Sequence, residues 1–146
     1  MFAEFIYRPT SGEYQEKHFG DNTPDCAWVK FTANTGLEWV GSFQRGWLDN
    51  SFIIILDKHE KAFVVANGFA YLIDILTRQM VNNADVSAVK TVVVDDEQFN
   101  IYYSDGYDLK CIDMHGNEIR LFDYNEFDDK VTNYYNELKY WDPPDH

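Results

Sequence analysis

Residues 53–69 read IIILDKHEKAFVVANGF, and residues 91–107 read TVVVDDEQFNIYYSDGY. The two stretches align without a gap at an offset of 38 residues, so that two apolar runs, a charged turn and a final Asn-Gly or Asp-Gly pair coincide. Apolar β-branched runs bounded by charged turns are typical of β-strands, and Asn-Gly or Asp-Gly supplies the two positive-φ residues of a tight hairpin turn. The alignment therefore predicts an internal repeat of antiparallel strands.

Each unit of the repeat is predicted to hold three antiparallel strands, because a third apolar run follows the glycine turn. The units cover residues 52–81 and 90–121, so the sequence predicts a meander of about six or more strands. The spacing resembles that of propeller blades. Because two units cannot close a propeller, we expect one continuous or bent antiparallel sheet.

The segment 69–81, FAYLIDILTRQMV, is ambiguous when it is taken alone. Its apolar residues recur at helical spacing: Phe69, Leu72, Ile73, Leu76 and Met80. The equivalent segment of the second unit contains a His-Gly turn at 115–116, which favours a strand. We therefore predict that 69–81 is a β-strand.

The N-terminal third also has β character, since aromatic and β-branched residues gather near positions 5, 28 and 40. Ala-Asn-Thr-Gly at 33–36 predicts the hairpin that joins the last two of these strands. Residues 9–25 are polar and rich in turn formers, so we expect a surface loop there.

The period changes at the C-terminus, where residues 125–141 read NEFDDKVTNYYNELKYW. One apolar stripe with helical spacing runs through this segment: Phe127, Val131, Tyr134, Tyr135, Leu138 and Trp141. Asn125 is a suitable N-cap, and Pro143 and Pro144 stop the helix. The predicted fold is thus α+β and mostly β, with one C-terminal amphipathic helix, in a single domain of residues 1–146.

Composition restricts the function. The chain has 25 Phe, Trp and Tyr among 146 residues, too many for a disordered chain. No apolar run approaches the ~20 residues of a transmembrane helix, and no basic stripe exists for nucleic acid. The first 14 residues lack the pattern of a signal peptide, so we expect a cytoplasmic protein. Cys26 and Cys111 are expected to be reduced thiols in the core.

The negative charge is concentrated in the second half of the chain. Residues 1–90 hold 11 acids and 8 bases, whereas residues 91–146 hold 14 acids and 4 bases. Acids in turns at one sheet edge would form a patch for a basic protein, with tyrosines between them as anchors. The predicted partner-binding residues are Asp95, Asp96, Glu97, Tyr102, Asp105, Tyr107, Asp108, Asp113 and Asp123.

Motifs for catalysis or for cofactors are absent from the sequence. It has no Gly-rich phosphate loop and no GxSxG elbow, and its four histidines have no metal-ligand spacing. The oxygen-rich stretches at 21–25 and 104–108 lack the length and the later Glu of an EF-hand loop. We therefore predict no catalytic residues, no metal and no cofactor, and hence a protein that is not an enzyme.

The chain resembles the immunity proteins of bacterial polymorphic-toxin and contact-dependent growth inhibition systems. The resemblance lies in its small size, its acidity, its aromatic content and the hairpin stretches VVANGFAYLID and IYYSDGYDLKCIDMHG. It implies a cognate toxin as the partner, often a nuclease, whose basic cleft an acidic face would occlude without turnover.

Two alternatives remain at the level of sequence. An inhibitor that mimics nucleic acid would use the same charge, but it should present carboxylates in a regular row at phosphate-like intervals. A small β-domain could instead bind a small-molecule ligand in a pocket lined by tryptophans. The candidates for such a pocket are Trp28, Trp39, Trp47 and Trp141.

Overall fold

A computed structural model describes residues 1–21, 23–82, 86–95, 100–105 and 109–122; within 120–122 only the backbone is described. The chain divides into two compact units, Met1–Val81 and Asn82–His146. The described residues form three four-stranded sheets and one short 3-10 helix, and they contain no α-helix. The prediction of a mostly β fold is confirmed for this part of the chain, whereas the predicted helix at 125–141 lies outside it.

The first sheet of unit 1 is mixed. Its strands are β1 (Phe2–Ile6), β2 (Glu16–Phe19), β3 (Cys26–Thr32) and β4 (Glu38–Gln44), in the spatial order β1-β3-β4-β2. β3 and β4 form the predicted hairpin through 33–36, where Gly36 has a φ of 87°. The prediction of a loop over 9–25 is wrong at β2, because EKHF pairs in parallel with β4 and places the apolar Phe19 in the core.

The second sheet of unit 1 is the first unit of the repeat. It is an antiparallel meander of β5 (Phe52–Leu56), β6 (Lys61–Ala66), β7 (Phe69–Asp74) and β8 (Gln79–Met80), with a 3-10 turn (Asp57–His59) between β5 and β6. The strand predicted for 69–81 is confirmed over Phe69–Asp74, and a turn at 75–78 then leads to β8. The predicted Asn-Gly turn is confirmed as well, since Asn67 and Gly68 have φ values of 47° and 89°.

The sheet of unit 2 is the second unit of the repeat. Its strands β9 (Thr91–Asp95), β10 (Asn100–Ser104), β11 (Leu109–Asp113) and β12 (Glu118–Phe122) form another antiparallel meander. The pairing of β11 with β12 is shifted between Cys111 and Ile112. The two repeats therefore share a strand order.

Two details of the predicted repeat are wrong. Each unit has four strands rather than three, and the two units are separate sheets rather than one continuous or bent sheet. The fourth strand exists because an aspartate ends the third strand and caps a turn. Asp74 Oδ1 accepts the N–H groups of Leu76 and Thr77, and Asp113 Oδ1 accepts those of His115 and Asn117.

The two sheets of unit 1 pack face to face over one apolar core. Side chains alternate across a strand, so Ala27, Val29 and Phe31 of β3 point into this core while the residues between them are half-buried. The second sheet contributes mainly Val64, Tyr71 and Ile73 to the same cluster. The alternation thus leaves the other face of the first sheet available for polar side chains.

Two glycines share one backbone conformation but differ in their surroundings, so they test the contact of the Asn67-Gly68 turn with Leu48. Gly36 and Gly68 have φ values of 87° and 89°, but a Cβ at Gly36 would meet nothing within 4 Å. A Cβ at Gly68 would lie 2.9 Å from Cγ and Cδ1 of Leu48. We expect Gly36→Ala to lower the free energy of unfolding by about 1 kcal/mol through its φ alone. Gly68→Ala should cost about 1–3 kcal/mol more, through the forced movement of Leu48.

Urea unfolding of the two variants measures this difference. Equal losses of stability would contradict the contact between the Asn67-Gly68 turn and Leu48.

Candidate functional site

Four of the nine residues predicted to bind the partner lie in the described part of the chain. They are Asp95, Tyr102, Asp105 and Asp113. The other five lie outside it: Asp96, Glu97, Tyr107, Asp108 and Asp123. The structure therefore locates the middle of the predicted surface only.

The strand register brings three of these four residues together. Asp95 of β9 pairs with Asn100 of β10, and Asn100 pairs on its other side with Asp113 of β11. Tyr102 lies two residues after Asn100 and therefore on the same face. Asp105 follows the opposite end of β10. Asp95 and Asp113 flank one neighbouring strand, so about 10 Å separates their backbones.

The four described residues differ in how deeply they are buried. Only 9% of the Asp95 surface and 6% of the Tyr102 surface are exposed, whereas Asp105 and Asp113 are half-buried. The Asp113 carboxylate accepts two backbone N–H groups of the following turn, at 2.9 and 3.0 Å. Asp95, Tyr102 and Asp113 thus contribute to the fold of unit 2.

The centre of the same sheet holds a tyrosine beside a thiol. Tyr102 of β10 pairs with Cys111 of β11, and only 2% of the Cys111 surface is exposed. Burial raises the pKa of Tyr102 and raises the pKa of Cys111 to about 12. The buried thiol therefore stays protonated near neutral pH, where only a thiolate is a strong nucleophile.

A second candidate site, which was not predicted, lies on the outer face of the first sheet. One register row crosses all four strands of this sheet and consists of Ile6, Trp28, Ser42 and His18. Trp28 is half-buried and His18 is exposed, while only 6% of the Ser42 surface is exposed. The sheet thus places an indole, a hydroxyl and an imidazole side by side.

Two hydrogen bonds hold the His18 ring. Its Nε2 lies 2.7 Å from the backbone oxygen of Asp21, and its Nδ1 lies 2.8 Å from Ser42 Oγ. Because a carbonyl oxygen only accepts, Nε2 carries the proton of the neutral ring. Nδ1 is then an acceptor, and the Ser42 hydroxyl donates to it. This arrangement fixes the imidazole against the sheet.

A cavity of about 470 Å³ opens on this row. We call it the Trp28 groove, and its lining consists of Arg8, His18, Thr23, Pro24, Cys26, Trp28 and Ser42. The Arg8 guanidinium lies over the Trp28 ring, 5.9 Å from its centroid, within the range of a cation–π contact. The groove therefore combines a flat aromatic surface with one positive charge.

Three carboxylates on this side of unit 1 are paired with cations. Lys30 lies 3.3 Å from Glu38 and 3.6 Å from Glu4, and its hydrogen bond to Glu38 is the main cause of its raised pKa. Arg45 lies 3.3 Å from Asp25. Within the described residues, Arg8 has no such carboxylate partner, so its charge faces the groove uncompensated.

The tryptophans do not form the common pocket that the sequence suggested. Trp28 lines the groove, but Trp39 is 1% exposed in the core and Trp47 is 68% exposed, packed edge-on against Phe69. Trp141 lies outside the described residues. The Cys-Ala-Trp spacing at 26–28 was the available signal for the groove, since it places Cys26 and Trp28 on one face of a strand.

Neither a metal site nor a membrane-spanning helix is found in the described part of the chain. No group of three or more His, Cys, Asp or Glu side chains among the described residues is placed to hold a metal ion. The described residues also include no helix of the length and apolarity needed to cross a membrane.

Two variants of Asp113 test its role as the cap of the turn that follows β11. Replacing Asp113 by Ala removes the acceptor for two backbone N–H groups and should lower the free energy of unfolding by about 1–2 kcal/mol. Asp113→Asn keeps an oxygen at Oδ1 and should retain most of that stability. Urea unfolding of both variants distinguishes a hydrogen-bonding role from a charge role, since equal losses would contradict the cap.

The two thiols should differ in reactivity, because Cys111 is buried with a raised pKa and Cys26 is half-buried at the groove. At about pH 8 only about one Cys111 side chain in ten thousand is a thiolate. We expect iodoacetamide to modify Cys26 in the native protein and both residues in urea, as measured by peptide mass spectrometry. Native labelling of Cys111 at the rate of Cys26 would contradict the burial of Cys111.

Comparison with known proteins yields no match. No family model fits the sequence. Neither the curated proteins nor the solved structures contain a significant match to this chain.

Proposed function

We propose that the protein is an acidic binding protein that neutralises a basic protein partner. In this proposal it is a cytoplasmic immunity protein that blocks a cognate toxin, for which a nuclease is the best candidate. The observation that carries the proposal is the separation of charge between the two units. Residues 82–146 hold 15 acids and five bases, whereas residues 1–81 hold ten acids and seven bases.

Charge concentrated in one unit acts on a partner at a distance. Opposite charge steers the encounter of two proteins and raises the association rate by about 10–10³, and salt weakens this effect. A nuclease must bind phosphates with basic side chains, so carboxylates can occupy the same cleft. Occlusion of that cleft would inhibit the toxin sterically and electrostatically, without turnover.

The burial of the described acids limits which of them can contact the partner in this proposal. Asp95 and Tyr102 are buried, so their direct contact with a partner would require the fold to open. Asp105 is half-buried and Glu118 is exposed. Among the described residues, these two are the acids of unit 2 that a basic partner can reach without disturbing Asp95 or the Asp113 cap.

Co-purification tests the proposal. The tagged protein is expressed in its native host and isolated at low and at high salt. We expect one stoichiometric basic protein, with nuclease activity that the bound chain suppresses. The association rate should fall at least about tenfold between about 0.05 M and 0.5 M salt. Recovery of no basic partner at low salt would overturn the proposal.

Charge reversal then tests the surface. Asp105→Lys combined with Glu118→Lys should slow association at low salt by about tenfold or more. Urea unfolding of the same variant shows whether the change at the half-buried Asp105 also lowers stability. Glu16→Lys combined with Asp49→Lys is the matched control, because both side chains are exposed in unit 1. An equal effect of the two double variants would show that net charge, and not a surface on unit 2, governs binding.

A further inference from the structure

We propose that the Trp28 groove is a binding site for a small anion that carries a planar ring. The site belongs to unit 1 and is independent of the acidic surface proposed above for unit 2. Its parts are an aromatic wall, an uncompensated cation and a fixed polar row at the sheet.

The aromatic wall is Trp28. Its backbone is held in the centre of β3 between β1 and β4, and its neighbours Ala27 and Val29 are buried in the core on the other face. The backbone that carries the indole is therefore fixed, and the ring is partly exposed. A planar ring stacked on an aromatic side chain contributes binding energy without demanding one particular ring.

The cation is Arg8, whose guanidinium lies over the Trp28 ring, 5.9 Å from its centroid. Arginine recognises carboxylate and phosphate groups through pairs of N–H donors in one plane. In a chain with 25 acids and 12 bases, the described lining of the groove contains Arg8 and no Asp or Glu. This local excess of positive charge selects a negatively charged ligand.

The acidic side chains around the groove oppose the binding of an anion only weakly. The Asp25 carboxylate is paired with Arg45, and Glu4 and Glu38 are paired with Lys30. Asp21 is adjacent to His18 through its backbone oxygen, but it is exposed and is not part of the lining. Arg8 is exposed as well, but it is the charged side chain that lines the groove itself.

The polar row determines how a ligand can be oriented. Both nitrogens of His18 are engaged, and the Ser42 hydroxyl donates its hydrogen to Nδ1. Ser42 Oγ therefore keeps an acceptor position, which suits an N–H group on the ligand ring. A cavity of about 470 Å³ accommodates a ring with an attached carboxylate or phosphate, since ligand sites commonly measure ~300–1,000 Å³.

Four probes test the proposal by calorimetry and by NMR of the Trp28 indole N–H. Adenosine monophosphate and indole-3-acetate combine a ring with an anion, whereas indole and inorganic phosphate each supply one half. We expect at least one of the two combined probes to bind at least about tenfold more tightly than indole alone or inorganic phosphate alone. The stronger of the two identifies a phosphate or a carboxylate as the anionic group.

Paired variants assign the binding to the groove. Arg8→Gln and Trp28→Leu should each weaken the binding of the combined probe by about tenfold or more. Lys58→Gln and Trp47→Leu are the matched controls, since both side chains are exposed and neither lines the groove. Bound probe should also slow the alkylation of Cys26, which lines the groove.

Three results would overturn the proposal. The first is the failure of both combined probes to cause a saturable shift at about 10 mM, which is weaker than any useful ligand affinity. The second is binding of phosphate or indole alone as tightly as the combined probes. The third is binding that Arg8→Gln and Trp28→Leu leave unchanged.

Discussion

The packing of aromatic rings between the two sheets of unit 1 is the contact on which the rest of that unit depends. Phe31 stacks on Trp39 at 4.4 Å, and Phe19 stacks on Phe43 at 4.9 Å, while Trp39 donates a hydrogen bond to the backbone of Ile75. Phe19 is the one buried residue of β2, whose other residues are exposed. The aromatic core therefore holds β2 against β4, and Phe19 orders the strand that carries His18.

The Trp28 groove is a consequence of this core. Alternation along β3 and β4 sends Val29 and Phe43 inward and leaves Trp28 and Ser42 on the outer face. Along β2 the same alternation points Phe19 into the core and places His18 on the outer face. A core substitution that displaced β2 would therefore also disassemble the groove, although no core residue lines it. Stability and the proposed ligand site are thus coupled through the pleat of one sheet.

The acids of this chain have at least two physical roles. Asp74 and Asp113 end equivalent strands of the repeat and cap the turns that follow, and Asp95 is buried in unit 2. Glu118 is exposed and Asp105 is half-buried. Net charge counts all five alike, because composition does not separate a carboxylate that satisfies backbone N–H groups from one that faces solvent. The proposed surface for a basic partner therefore depends on fewer acids than the sequence suggested.

The sequence by itself determined the features that depend on neighbouring residues. The repeat, the strand at 69–74, the Asn67-Gly68 turn and the β3–β4 hairpin follow from local periodicity and from glycine at positive φ. Tertiary structure alone decided that β2 is a strand, that the repeats form separate sheets, and that His18 meets Ser42 beside Trp28. These features join residues far apart in the chain, and their energies come from packing and register, which no local pattern encodes.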